Sequence, residues 1–213
     1  MRGLYLVTDR ACCGDRPLEW VVDQAVQGGA ACVQLREKHL ATRPFVELAR
    51  ALKARLAPAG VPLIINDRLD VALAAGADGL HVGQSDMPCA IVRQYLGQGA
   101  ILGLSVETWA DVDQAEGLDL DYLGVSPVFA TPTKTDTLAP WGLDGLRRLR
   151  ERTRLPLVAI GGLNPGNAAQ VIRAGADSLA VVSALCASPD PLGAARELDA
   201  IIRAALRERQ PRP

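Results

Sequence analysis

Short runs of Val, Ile and Leu recur along the chain, each followed by a longer segment whose apolar positions return every three to four residues. That rhythm, sustained from end to end, predicts repeated βα units feeding a parallel sheet. Strands are predicted at residues 4–8, 32–36, 63–66, 79–82, 101–105, 122–126, 157–160 and 178–182. Several are continuously apolar instead of alternating, as strands covered on both faces should be. Helices are predicted at 18–27, 69–75 and 168–174, ending in Gly28-Gly29-Ala30, Gly76-Ala77-Asp78 and Gly175-Ala176-Asp177. Each of these glycines can take the left-handed conformation that turns the chain into the next strand. Asn164-Pro165 reads as a cap followed by proline at the first helical position. Pro62 and Pro156 precede strands, where a missing amide donor is tolerated.

Eight such units either close a ring or wind an open sheet. The count, and a length of 213 residues within the roughly 200 to 400 typical of such barrels, favour a single-domain (β/α)8 TIM barrel, an α/β fold, over residues 1–206. Residues 207–213 are expected to form a frayed tail. In either architecture the chemistry belongs beyond the carboxyl ends of the strands.

Composition narrows the function. A hydrophobic share of 49% with 22% charged residues describes an ordinary soluble globular chain. Lysine plus arginine number 23 against 24 acidic residues, a net charge of −1, which argues against general binding of nucleic acid. A local positive field for a small anionic substrate remains compatible with that balance. Five cysteines without metal-ligand or redox spacing fit a reducing, cytoplasmic location. The apolar run at 4–7 is too brief for a signal peptide or a membrane span. Homo-oligomerisation is left open.

Polar residues gather where the apolar strands finish. The second strand runs into Gln34-Leu35-Arg36-Glu37-Lys38, whose period of two puts Gln34, Arg36 and Lys38 on one side. These read either as an anion clamp or as a solvated strand end. Asn66-Asp67 and His81-Val82-Gly83-Gln84-Ser85-Asp86 end the next two strands. Two carboxylates beside a basic comb suit magnesium that also touches phosphate oxygens, while the alternative makes each aspartate a helix cap. His81 is expected to pack at its strand end. Ser105 puts a hydroxyl at the same rim. The loop 126–137 is rich in hydroxyls and carries Lys134, reading as a phosphate-contacting mobile cover or as a plain surface loop. Gly161-Gly162 and Val182-Ser183 end the last two strands, where barrels often bind phosphate.

As an ordered set, Leu4-Tyr5-Leu6-Val7-Thr8-Asp9, Gln34 to Lys38, Ile65-Asn66-Asp67, His81 to Asp86, Thr131-Pro132-Thr133-Lys134, Ile160-Gly161-Gly162 and Val182-Ser183 resemble the thiamine-phosphate synthase family. The resemblance covers nearly the whole chain. It implies a transferase that joins a pyrimidine diphosphate to a thiazole phosphate, releasing pyrophosphate, with magnesium as cofactor. It further implies that Gln34 and Ser105 hold the pyrimidine, that Arg36, Lys38, Asn66 and Lys134 contact pyrophosphate, and that Asp67 and Asp86 hold the metal. Thr131, Thr133, Gly162, Val182 and Ser183 would bind the thiazole phosphate.

Two positions depart from the pattern: Ser126 stands where glycine is frequent, and Glu107 where histidine is common. A related family of thiazole tautomerases uses a histidine in the neighbourhood of Glu107 for proton transfer, which makes tautomerase the second enzymatic reading. A non-catalytic phosphate-binding barrel is the third, and the joint presence of Arg36, Lys38, Asp67 and Asp86 counts against it.

Overall fold

A computed structural model describes residues 1–131 and 139–209. Its eight strands, β1 (Gly3–Val7), β2 (Ala30–Leu35), β3 (Leu63–Asn66), β4 (Gly79–Val82), β5 (Ile101–Val106), β6 (Tyr122–Val125), β7 (Leu157–Ile160) and β8 (Ser178–Val181), pair in sequence order. All pairings are parallel, and β1 pairs with β8 as well as with β2, closing the barrel. Around it lie α1 (Leu18–Gln27), α2 (Thr42–Leu56), α3 (Leu69–Ala75), α4 (Cys89–Leu96), α5 (Trp109–Ala115), α6 (Gly142–Arg152), α7 (Pro165–Arg173), the short α8 (Ser183–Cys186) and α9 (Pro191–Glu208). Helix α9 packs against α1, α7 and β1, covering the seam where the ends of the chain meet.

The apolar runs lack alternation because both strand faces are buried. Leu4, Leu6, Val33 and Leu35 point outward into the helix layer. Tyr5, Val7, Cys32, Ile64, Tyr122, Val158 and Ala180 form a separate interior cluster that fills the ring. Glycine makes room there: a Cβ on Gly103 would lie 2.1 Å from the Tyr122 ring, and one on Gly124 would lie 2.8 Å from His81 Cε1. Two bare positions on β5 and β6 thus admit two ring side chains to a crowded interior.

Beneath the barrel the same device recurs. Asp78, Asp121 and Asp177 each precede an even-numbered strand and accept a backbone N–H from the strand before it, from Leu63 at 2.8 Å, Leu102 at 2.8 Å and Leu157 at 3.0 Å. Each also meets a cation, Lys53, Arg93 or Arg150, and Asp177 has a second in Arg209 at 2.5 Å. These carboxylates satisfy amides at the amino ends of the strands, opposite the face expected to carry chemistry.

Most strand edges fall within a residue of expectation, but β2 starts earlier, at Ala30. The first helix stops as expected, yet Gly28 is right-handed with φ −82°, and the turn is taken by Gly29 at φ 106°. Gly76 is left-handed at φ 63°. Asn164 caps α7 through a reciprocal bond pattern with Asn167, and Pro165 is the first helical residue. Among the described residues, no helix is long and apolar enough to cross a membrane.

Candidate active site

At the carboxyl ends of the strands the barrel opens into a cavity of about 830 Å³. Gln34, Arg36, Lys38, Asn66, Asp67, Asp86, Ser105, Thr131, Gly162, Val182 and Ser183 all line it. Thr133 and Lys134 lie outside the described residues.

One wall is basic. Gln34 is buried inside β2, and the chain leaving that strand is anchored by the Arg36 N–H, which donates to Thr8 Oγ1 at 3.0 Å. The Arg36 guanidinium is held loosely by Asp9, at 3.5 Å, which keeps its fork near the cavity without consuming it.

Beside it, following the next two strands, stands a pair of carboxylates. Asp67 follows β3 with φ 63°, a left-handed conformation that aspartate tolerates better than most side chains. The turn is pinned by Asp67 N–H to the His81 carbonyl at 2.9 Å and Arg68 N–H to the Asn66 carbonyl at 2.7 Å. Burial, together with a hydrogen bond and repulsion from Asp86, pushes Asp67 up to about 6, although Lys38 and Arg36 pull the other way. Asp86 accepts the Gly83 N–H at 2.7 Å through one oxygen. Neither carboxylate caps a helix: α3 is preceded by Arg68 and α4 by Pro88, both without a side-chain cap. The capping alternative is thereby set aside.

Two crowded carboxylates, of which Asp67 is pushed up by burial and by Asp86, are a donor set asking for a cation. Among the described residues no group of three or more His, Cys, Asp and Glu could hold a metal. An ion here would therefore take two protein oxygens and complete its shell from water and substrate. That all-oxygen, partly hydrated arrangement suits magnesium.

The third wall is built of backbone. Gly161 and Gly162 have φ of 101° and 65°, and a Cβ on Gly162 would lie 2.8 Å from the Ala130 carbonyl oxygen. Asn167 Nδ2 donates to the Gly162 carbonyl at 2.9 Å, tying this loop to α7. Val182 and Ser183 open α8 on the neighbouring strand end.

The floor is a chain of polar contacts that strand-end reasoning overlooked. Gln34 Nε2 donates to the Tyr5 hydroxyl at 2.9 Å, the Tyr5 and Tyr122 hydroxyls lie 3.1 Å apart, and His81 bridges Tyr122 through Nδ1 (2.9 Å) and Ser105 through Nε2 (2.8 Å). Burial raises both tyrosines well above their usual range, keeping the hydroxyls protonated. Tyrosines facing inward on otherwise aliphatic strands were the available signal. Glu107, Thr108 and Asp111 also line the cavity, and the Asp111 carboxylate accepts the N–H groups of Glu107 and Thr108 at 2.8 Å each. Burial lifts the thiols of Cys32 and Cys186 to about 12, far from a thiolate nucleophile.

Residues 4–185 match the family described as thiamine monophosphate synthase. The chain belongs to the thiamine monophosphate synthase family. A thiamine-phosphate synthase of Albidiferax ferrireducens is 62% identical over 201 residues, covering 94% of this chain and 92% of the relative. One from Chloroflexus aurantiacus is 52% identical, over 93% of this chain and 92% of its own. A solved thiamine phosphate pyrophosphorylase from Pyrococcus furiosus superposes with a TM-score of 0.87 at 36% identity, covering 96% of both chains. Family membership and the closed barrel agree: the architecture expected from periodicity is the one the family's solved structure displays. A 3-hexulose-6-phosphate synthase, 17% identical with a TM-score of 0.69 over 94% of this chain and 99% of its own, shares the fold alone.

Proposed function

We propose that the cavity joins a 4-amino-5-hydroxymethylpyrimidine diphosphate to a hydroxyethylthiazole phosphate, giving thiamine phosphate and pyrophosphate. The observation that carries this reading is the meeting of a basic comb, a carboxylate pair and a glycine-lined loop in one cavity of a chain that is 62% identical to a thiamine-phosphate synthase.

The chemistry needs no protein nucleophile. The bond from the exocyclic carbon to the diphosphate oxygen breaks, leaving a cation that the ring's amino group stabilises. The thiazole nitrogen lone pair then forms the new carbon–nitrogen bond. What the protein supplies is alignment of the two reactants and stabilisation of the departing anion. Arg36, Lys38 and Asn66 take the pyrophosphate, with Lys134 as a further contact, while Gln34 and Ser105 hold the pyrimidine. Thr131, Thr133, Gly162, Val182 and Ser183 take the thiazole phosphate, where bare glycine lets phosphate approach the backbone. Asp67 and Asp86 would hold magnesium, which when bound would supply positive charge against the diphosphate. The cation must be kept from water, because water capture would give the pyrimidine alcohol instead of product. Five free thiols support a reducing, cytoplasmic setting.

A coupling assay with both half-molecules and magnesium tests the reading. Thiamine phosphate and pyrophosphate in equal amounts are expected. Pyrophosphate without thiamine phosphate, or no turnover of either substrate, would overturn it.

A further inference from the structure

The interior chain of Gln34, Tyr5, Tyr122, His81 and Ser105 has a direction. Tyr5 and Tyr122 are 1% and 0% exposed, so each hydroxyl proton must find its acceptor inside the barrel. Gln34 presents its amide nitrogen to Tyr5 and donates at 2.9 Å. The Tyr5 hydroxyl, having accepted there, directs its own proton to Tyr122 Oη, 3.1 Å away. Tyr122 in turn donates to His81 Nδ1 at 2.9 Å, which leaves the imidazole proton on Nε2. That N–H donates to Ser105 Oγ at 2.8 Å. Ser105 has now accepted a hydrogen bond, and its own proton is the one free to turn into the cavity that it lines. Reversing the line would make the Tyr5 hydroxyl accept from both Gln34 and Tyr122, leaving only the Cys32 sulfur, a weak acceptor, for its own buried proton.

We infer that Tyr122 and His81 are positioning residues that fix the Ser105 hydroxyl as a hydrogen-bond donor, aimed at a ring nitrogen of the pyrimidine and not at its amino group. The inference rests on the pyrimidine diphosphate reading above and specifies which edge of that ring is read. A 4-aminopyrimidine offers the needed acceptor beside a donor amino group, whose partner is the Gln34 side-chain amide oxygen, Oε1. The same network accounts for glycine at 103 and 124, since any side chain there would strike the Tyr122 or His81 ring and break the line.

Nitrogen-15 spectra of histidine-labelled protein read the tautomer without turnover. The chain has two histidines, and His39→Gln assigns the spectrum. His81 protonated on Nε2, with Nδ1 as acceptor, is expected; an Nδ1–H tautomer would overturn the inference. In parallel, Tyr122→Phe deletes one hydroxyl while keeping the ring. The pyrimidine diphosphate KM should rise about tenfold, the size of one lost oriented hydrogen bond, while the thiazole phosphate KM stays put. Unchanged constants, or equal rises for both substrates, would remove the positioning role. Should wild-type protein form no thiamine phosphate, the proposed reaction fails, and the tautomer still decides the direction of the network.

Discussion

Asp67 shows how much one residue can carry. It occupies a left-handed turn, crowds a second carboxylate and faces Arg36 and Lys38. Its folded value of about 6 lies above the ordinary carboxylate range, so the native state binds more protons than the unfolded chain between about pH 4 and 6. Stability of the metal-free protein therefore falls as pH rises through that window. Asp67→Asn should remove the dependence and stabilise the protein at pH 7 in EDTA by about 1 kcal/mol, a figure discounted for the solvent that screens a half-buried pair. Urea titrations at pH 4.5 and 7 check it, and a destabilised variant would contradict the account. The same variant should lose most turnover in magnesium. Arg36→Ala should cost about a hundredfold in kcat/KM, and Arg36→Lys should recover little, because a point charge does not replace a bidentate fork; near-normal kinetics in either would place the clamp elsewhere. The charged residues were legible in the sequence because they interrupt apolar strands at their ends. The left-handed turn at Asp67 and the contacts of Tyr5 with Tyr122 were not, since both depend on strands that meet only when the barrel forms.

At the scale of the elements, the strands were readable because burial on both faces leaves unbroken apolar runs, and three of the helices, at 18–27, 69–75 and 168–174, because their ends carry glycine or Asn-Pro. What local pattern could not resolve is which of two adjacent glycines turns: Gly29 does so, packed against Asp199, while Gly28 is pressed against Ala195 and the Leu192 carbonyl of α9. Of the aspartates beneath the barrel, Asp78 and Asp177 were legible only as neighbours of Gly76 and Gly175 and Asp121 was not singled out, because their partners come from distant helices. Asp177 is the most enclosed, its side chain 4% exposed between Arg150 and Arg209 while it also satisfies the Leu157 amide. Asp177→Ala removes a buried charge partner of two arginines and the acceptor of a backbone N–H, and should cost about 3 kcal/mol. A urea midpoint close to that of the wild type would show that the device contributes little. Catalysis should survive in the folded fraction, because the site lies at the opposite end of the strands.

For the whole molecule, the count of eight units foretold the barrel, but closure itself rests on contacts between the two ends of the chain: β1 against β8, with the Ser178 hydroxyl donating to the Gly3 carbonyl at 2.7 Å. Closure turns residues scattered from Gln34 to Ser183 into one cavity with distinct walls, a basic and acidic side on β2 to β4 and a backbone side on β7 and β8. The central claim is that these walls divide the two phosphorylated groups between them. A crystal structure with thiamine phosphate, pyrophosphate and magnesium bound tests it most directly. The account predicts pyrophosphate against Arg36 and Asn66 with the ion on Asp67 and Asp86, and the product's phosphate at Gly162 and Ser183. Pyrophosphate seated on the β7 and β8 loops, or a metal bound away from both aspartates, would contradict it.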